Sequence, residues 1–307
     1  MSSEPEWCLI ESDPGVFTEL LEQLGCTAVE LQELWTLDDD YSSWATSTVF
    51  GLIFLFQWKK EAQQEHAATA NPLTDVPPGL FFAEQVTTNA CATQALLSII
   101  MNAPEEQLEL GKVLQDFKEF SAELPPQLKG ISIAGSEDLR KAHNSFARQD
   151  VFLQDDQDSS PKDKGEAFHF VAYVPKNGSV YELDGLLPGP IHVGEIADAA
   201  GGDLNAWLPV GIAAIRERMA KIGEVKFNLM AVVRDKREGA DPATLAQECA
   251  KREQWKLENQ RRRHNYMPLI VQLIKELAAA NKLEGLVEEA KEKRRQKIQA
   301  GAENKET

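Results

Sequence analysis

The stretch HFVAYVPKNGSVYELDG, residues 169–185, predicts a β-hairpin. Two runs rich in strand-forming residues flank Asn177 and Gly178, and Asn-Gly between such runs is among the strongest short hairpin signals. A two-residue turn pairs Lys176 with Ser179, and the register of every further pair follows outward from these two residues. The sequence therefore predicts an antiparallel pair of strands over these residues.

The same register brings an imidazole and a carboxylate to one face of the hairpin. Asp184 pairs with Val171 and lies diagonally from His169, at roughly 7–8 Å between the backbones. Asp184 can therefore bond His169, fix its tautomer and stabilise its cation. Plainer interpretations stay open, because His169 also fits an ordinary strand histidine and Asp184 the start of a turn at Gly185. A register slip of one residue would place the two side chains on opposite faces.

A cysteine stands at the predicted start of an apolar helix in QVTTNACATQALLSII, residues 85–100. The thiolate is the nucleophilic form of cysteine, and the free N–H groups at a helix N-terminus favour it. The alternative is a structural cysteine, since free Cys is among the most buried residue types. If Cys91 is a nucleophile, its backbone N–H and the side-chain amide of Gln85 are candidate donors to an oxyanion.

Charge and cysteine content narrow the functional class. The net charge of the chain is −17, whereas residues 251–307 carry +5, so the rest of the chain is strongly acidic. An acidic body repels nucleic acid and favours a basic partner. Four scattered cysteines form no CxxC pair and have no histidine cluster near them at zinc spacing, so we expect no metal site and no disulfide framework. They are Cys8, Cys26, Cys91 and Cys249.

Other patterns in the body predict elements around the hairpin. The apolar run VFGLIFLF, residues 49–56, predicts a buried strand, and KFNLMAVVRD, residues 226–235, predicts another. DPGVFTELLEQLG, residues 13–25, predicts a helix with Asp13 as its N-cap. Residues 154–167 are polar and charged, so we expect a mobile surface loop there. No apolar run reaches the about 20 residues that span a bilayer, and no secretory signal is visible, so no membrane partner is expected.

The pattern changes after residue 234. Residues 235–307 are dominated by helical periodicity, and residues 267–298 predict a helical hairpin with its break near Asn281. Such a small unit buries little by itself, so we expect it to dock on a partner or on the body. The predicted domains are therefore residues 1–234 and an all-helical extension over residues 235–307.

The order of Gln85, Cys91, His169 and Asp184 resembles that of the ubiquitin C-terminal hydrolases. The motifs NACATQAL, FHFVAY and ELDGL carry the resemblance, which covers roughly residues 7–234. It implies an α+β, papain-like fold with a central antiparallel sheet flanked by helices. It also implies a cysteine hydrolase that needs no cofactor and cleaves after the C-terminal glycine of ubiquitin. By this resemblance, Cys91 would be the nucleophile and His169 the general base and acid. Asp184 would orient the histidine, and Gln85 would be the oxyanion donor.

Further roles follow only from this resemblance. Trp35 and Leu37 resemble positions near the ubiquitin-contacting surface, although ordinary apolar exposure or helix-end packing explains them as well. Residues 144–167 would form the crossover loop beneath which the substrate's C-terminal tail passes. Residues 261–297 resemble the extension of the large, proteasome-associated members. That likeness implies autoregulation, binding to a ubiquitin receptor of the proteasome's regulatory particle, and a location in cytoplasm and nucleus.

Two other functions stay open at this point. One is a ubiquitin-binding scaffold subunit of a proteasome or chromatin complex with little catalytic turnover. The other is a nucleic-acid-binding protein, suggested by KEKRRQK at residues 291–297. Because the body is acidic and the basic run fits the solvated face of a helix, we expect no nucleic-acid partner.

Overall fold

A computed structural model of the chain describes residues 6–35, 37, 45–147, 168–197, 202–222 and 227–303, with the side chains of 294 and 296–303 not described. The chain divides into two compact units, Met1–Arg263 and His264–Thr307. The predicted mobile loop at 154–167, and most of the predicted crossover loop, lie outside the described residues.

The first unit contains a mixed set of helices and strands. Its described helices are α1 (Pro14–Gln23), α2 (Lys60–Ala70), α3 (Cys91–Ile100), α4 (Lys112–Ser121), α5 (Pro126–Gly135), α6 (Glu137–Asn144), α7 (Leu208–Ile222) and α8 (Pro242–Arg263). Its described strands are β1 (Val29–Glu33), β2 (Val49–Gln57), β3 (Phe168–Lys176), β4 (Ser179–Leu183), β5 (Ile191–Glu195) and β6 (Phe227–Arg234).

The strands form one antiparallel sheet in the order β1-β6-β2-β3-β4-β5. The central strand β2 is apolar on both faces, because each face of the sheet is covered. Ile53 packs into a core shared with Leu97 of α3, whereas its neighbour Phe54 packs into a second core beside Trp207 and α7. The predicted α+β fold with a central antiparallel sheet flanked by helices is confirmed.

The hairpin of β3 and β4 has the register that the sequence predicts. Lys176 pairs with Ser179 across the turn. Asn177 and Gly178 have φ angles of 52° and 80°, as a turn with two left-handed residues requires. The predicted cap of α1 is also present, since Asp13 Oδ1 accepts a hydrogen bond from the backbone N–H of Val16 at 3.1 Å.

Helix α8 packs on α1 within the first unit. Trp255 lies so close to Gly15 that a Cβ added there would be 2.7 Å from the indole Cγ. Asn259 Nδ2 donates to the Gly15 carbonyl at 3.1 Å, and Arg252 Nη1 bonds Glu22 Oε1 at 3.1 Å. This charged helix is therefore held to the rest of the first unit by specific contacts.

Replacing Arg252 by alanine is expected to destabilise the first unit. Arg252 is 4% exposed, and its Nη2 lies 3.0 Å from Asp235 and 3.6 Å from Glu30, both of which are buried. Its removal leaves these carboxylates short of a partner, which costs about 3 kcal/mol in the free energy of unfolding. Urea denaturation measures this as a lower midpoint.

The matched control for that experiment is Lys256→Ala on the same helix. Lys256 is 57% exposed and lies 3.9 Å from Glu22. Exposed pairs of this kind contribute at most about 1 kcal/mol. Equal losses in the two variants would show that the buried charges beside Arg252 do not hold α8 in place.

The second unit is a helical hairpin of α9 (Met267–Ala279) and α10 (Leu283–Glu303), as the sequence predicts. Asn281, at the break, has a φ of 54°, and the Lys282 N–H donates to the Leu277 carbonyl at 3.0 Å. Several large apolar side chains of this unit are exposed: Leu269, Val271, Leu273, Ile274, Leu286 and Val287. Among the described residues, no helix combines the length and apolarity needed to cross a bilayer.

Candidate active site

Cys91 is the first residue of α3, the buried helix that packs against β2 and β3. Asn89, two residues earlier, has a φ of 63°, and its side chain donates to the Trp7 carbonyl at 3.0 Å. The loop before the cysteine is therefore anchored. The first four N–H groups of a helix have no intrahelical acceptor, and such donors favour a thiolate. Cys91, which is half-buried, stands beside them.

His169 and Asp184 meet as the hairpin register predicts. His169 lies near the start of β3, and Asp184 directly follows β4. Both side chains are buried, with 2.6 Å between His169 Nε2 and Asp184 Oδ1. Cys91 lies close enough to the same imidazole to favour its protonated form. The structure thus brings together the thiol, imidazole and carboxylate from α3, β3 and the end of β4.

The site favours an ionised state. Burial disfavours the imidazolium, but the charge and hydrogen bond of Asp184, together with Cys91, outweigh burial and raise the pKa of His169 to about 9. Burial likewise opposes ionisation of Asp184, yet the His169 charge and hydrogen bond, followed by the Arg218 charge, hold the pKa of that carboxyl well below its usual range. His169 is therefore a cation at neutral pH, which suits it to stabilise a thiolate.

Gln85 lies beside the same turn as Asp184. Its backbone N–H donates to the Gly185 carbonyl at 2.7 Å, and its side-chain Nε2 donates to the Thr87 carbonyl at 3.1 Å. The approach at Gly185 is close, since an added Cβ there would lie 3.1 Å from Gln85 Cβ. An amide NH₂ has two hydrogens, so the bond to Thr87 orients the group and leaves a second donor. The predicted oxyanion role stays a prediction.

The two residues suggested as ubiquitin contacts have different surroundings. Trp35 is 84% exposed. Leu37 is half-buried and packs against the core cluster that contains Trp207. An exposed indole suits a contact surface, whereas Leu37 also has a packing role, and both suggestions remain predictions.

A second layer of polar residues behind Asp184 was not predicted from the sequence. Asp184 Oδ2 accepts from Gln63 Nε2 at 2.7 Å and from Arg218 Nη2 at 3.2 Å. Arg218 also bonds Glu182, which accepts from the Tyr173 hydroxyl at 2.7 Å. These side chains come from α2, α7, β4 and β3.

Two of these residues had a signal in the sequence. Glu182 stands two positions before Asp184, so the strand period of two places both carboxylates on one face. Arg218 lies three residues after Ile215 and four before Ile222, on the apolar stripe of α7. A cation on an apolar helical stripe indicates a buried partner. Gln63 had no comparable signal.

Comparison with known proteins gives consistent matches. Residues 7–220 match the family described as ubiquitin carboxyl-terminal hydrolase, family 1, and residues 242–283 match a family described as ubiquitin carboxyl-terminal hydrolases. The chain is 38% identical to ubiquitin carboxyl-terminal hydrolase ubh-4 of Caenorhabditis elegans, over 94% of this chain and 93% of the relative. It is 36% identical to ubiquitin carboxyl-terminal hydrolase isozyme L5 of Dictyostelium discoideum, over 97% and 99%.

A solved structure resembles the described fold. The crystal structure of the Trichinella spiralis UCH37 catalytic domain bound to ubiquitin vinyl methyl ester aligns with a TM-score of 0.61 and 39% sequence identity. The alignment covers 76% of this chain and 97% of the Trichinella chain.

Proposed function

The chain belongs to the ubiquitin carboxyl-terminal hydrolase family, and on that premise we propose that it removes ubiquitin from conjugates held at the proteasome. It is a cysteine-type hydrolase with the papain-like fold that the resemblance implied. The observation that supports this chemistry is the placement of Cys91 beside His169, whose Nε2 lies 2.6 Å from Asp184 Oδ1. The acidic body suits a substrate whose C-terminal tail is basic.

The first half of the reaction transfers the acyl group to the enzyme. The Cys91 thiolate adds to the carbonyl carbon of the C-terminal glycine of ubiquitin, and the carbonyl oxygen becomes an oxyanion. The backbone N–H of Cys91 and the Gln85 amide are the proposed donors to that oxygen. The C–N bond then breaks, and the His169 imidazolium gives its proton to the leaving amine. The product of this half is a thioester between ubiquitin and Cys91.

The second half regenerates the enzyme. Water attacks the thioester carbonyl while neutral His169 accepts a proton from the water. The C–S bond breaks, ubiquitin leaves with a free carboxyl group, and Cys91 returns as a thiolate. Asp184 remains ionised throughout, because its role is to hold His169 in one tautomer and stabilise its cation.

The helical hairpin is the proposed link to the proteasome. Leu269 and Leu273 of α9 are 64% and 56% exposed, and exposed apolar patches rimmed by polar residues mark interaction sites. The proposed partner is a ubiquitin-receptor subunit of the regulatory particle, in the cytoplasm and nucleus. The division into a catalytic part, residues 1–234, and a partner-binding, autoregulatory part, residues 235–307, belongs to the same proposal.

Leu273→Glu is expected to weaken binding of the full chain to the purified receptor subunit about 10-fold or more. Burying a leucine side chain at an interface stabilises it by roughly 1.5–3 kcal/mol, and a carboxylate at the same point must be desolvated. Isothermal titration calorimetry measures the loss. Release of a fluorogenic group from the ubiquitin C-terminus, measured without the receptor, is expected to stay at the wild-type rate.

The matched control is Gln272→Glu, which adds the same charge at an exposed polar position of α9. It is expected to bind the receptor within about 2-fold of wild type. Equal weakening in both variants would assign the effect to charge rather than to the apolar surface. A wild-type chain that binds ubiquitin and the receptor but releases no fluorogenic group would support the scaffold function instead.

A further inference from the structure

We propose that Arg218 is a positioning residue of this hydrolase, which holds the Asp184 carboxylate in the orientation that His169 needs. The inference deepens the proposed function and rests on it for the expected effect on kcat, whereas the effect of Arg218 on Asp184 and His169 does not depend on it. Arg218 acts through Asp184, because its bond is to the carboxylate oxygen that His169 leaves free.

Both oxygens of Asp184 are occupied by donors. Oδ1 accepts from His169 Nε2 at 2.6 Å and from the Leu186 N–H at 3.0 Å. Oδ2 accepts from Gln63 Nε2 at 2.7 Å and from Arg218 Nη2 at 3.2 Å. A carboxylate offers about four acceptor positions, so these four donors fill them. The group cannot rotate without losing bonds on both sides, and the imidazole bonded to it is fixed in turn.

Arg218 is itself held on several sides. Its side chain is 4% exposed, and Nη1 bonds Glu182 while Nη2 bonds Asp184. The guanidinium carbon lies 4.6 Å from the centre of the Phe56 ring. The Phe56 ring is in turn perpendicular to the His169 imidazole, with 5.9 Å between the ring centres. The arginine is thus connected to the imidazole by a carboxylate on one side and by an aromatic ring on the other.

The charges of the cluster explain why an arginine stands there. Glu182 and Asp184 are two buried carboxylates on one face of the hairpin, and a permanent cation between them reduces their repulsion. The separate Nη1 and Nη2 groups of a guanidinium bond one carboxylate each, whereas a lysine presents one compact ammonium. Burial opposes ionisation of Glu182, but Arg218 and then His66 hold the pKa of that carboxyl below its usual range. Both carboxylates therefore stay charged.

Two further ionisable side chains contact Glu182 at the edge of the cluster. His66 Nε2 lies 2.7 Å from Glu182 Oε1, and the Tyr173 hydroxyl donates to the other oxygen of Glu182. Burial, followed by the Glu182 charge, raises the pKa of Tyr173 well above its usual value. Cys91 faces His169 from α3. Among these groups, His169 is the one whose pKa is raised to about 9, so the alkaline change in the pH profile is assigned to it.

Arg218→Lys is the primary test, because it keeps the positive charge and removes the two-armed bridge. The expected result is a kcat about 10–100-fold lower, in the range found when an outer hydrogen-bonding partner of a metal-site ligand is changed. KM for a ubiquitin fluorogenic substrate is expected to stay within about 2-fold. The pH dependence of Cys91 alkylation by iodoacetamide, which needs no ubiquitin, is expected to have its alkaline inflection, where His169 loses its proton, at lower pH than in the wild type.

The controls separate positioning from structure. Arg216→Lys on the same helix, at a half-buried position, is expected to leave kcat and the alkylation profile unchanged. Gln63→Ala removes the other donor to Asp184 Oδ2 and is expected to lower kcat about 3–10-fold. The matched control for Gln63→Ala is Gln64→Ala, at an exposed position of α2, which is expected to leave kcat unchanged. If Arg218→Lys does not fold, the comparison of Gln63→Ala with Gln64→Ala tests the inference instead.

The outcomes distinguish failure of the positioning inference from failure of the proposed function. A folded Arg218→Lys variant with wild-type kcat and a wild-type alkylation profile overturns the inference. The same holds if Gln63→Ala matches Gln64→Ala while Arg218→Lys loses only thermal stability. A wild-type chain that does not release ubiquitin, while its Cys91 alkylation still shifts in Arg218→Lys, overturns the proposed function and supports the positioning role.

Discussion

Cys91→Ala is expected to lower the rate of release of a fluorogenic group from the ubiquitin C-terminus by about 10⁴-fold or more. The methyl group of alanine cannot form the thioester, and loss of a nucleophile removes the covalent route as a whole. Binding of ubiquitin is expected to change less than about 3-fold, because one half-buried side chain at the start of α3 contributes little contact area. Titration calorimetry with free ubiquitin measures the affinity.

The matched control is Cys249→Ala, which removes an exposed thiol from α8. It is expected to keep the wild-type rate. Cys26 is a second comparison, since burial raises the pKa of its thiol to about 12 and leaves it without nucleophilic character at neutral pH. Residual release in Cys91→Ala above about one hundredth of the wild-type rate would contradict the assignment of Cys91 as nucleophile.

The hairpin could be predicted because its signal is local. Asn177 and Gly178 fix the turn, the turn fixes the register, and the register places His169 beside Asp184. No long-range information is needed for these steps. The start of α3 at Cys91 is local in the same way, since a polar turn gives way to an apolar run.

The order of the sheet could not be predicted in this way. Strand β6 lies between β1 and β2, far from both in the sequence, and only packing of the whole chain decides that pairing. The layer behind Asp184 has the same origin. Arg218 is 34 residues from Asp184, and Gln63 is 121 residues from it. Only the fold brings these donors to one carboxylate.

The charged helix α8 shows that the local sequence alone does not predict which charged side chains are buried. Arg252 looks like one of many solvated charges in the sequence, yet it is buried between Glu22 and Asp235. Those two carboxylates come from α1 and from the end of β6. A charge pattern predicts an exposed helix unless its distant partners are known.

Asp184→Asn is the second change with a large expected effect, because an asparagine cannot satisfy both sides of the site. Arg218 has only donors, so the amide oxygen must face it. The amide NH₂ then faces His169 and requires an acceptor at Nε2, which moves the imidazole proton to the nitrogen beside Cys91. That tautomer cannot take a proton from the thiol, and we expect kcat to fall about 10³-fold with KM nearly unchanged.

The pH dependence separates this explanation from simple loss of structure. Asp184 helps raise the pKa of His169 to about 9, so the wild-type imidazolium persists up to that pH and the alkaline limb of kcat/KM is expected near it. The neutral asparagine removes this support, and the limb moves to lower pH. Asp116→Asn, at an exposed position of α4, keeps the wild-type profile. An Asp184→Asn profile with a lower rate but an unmoved alkaline limb would show that the carboxylate orients His169 without stabilising its cation.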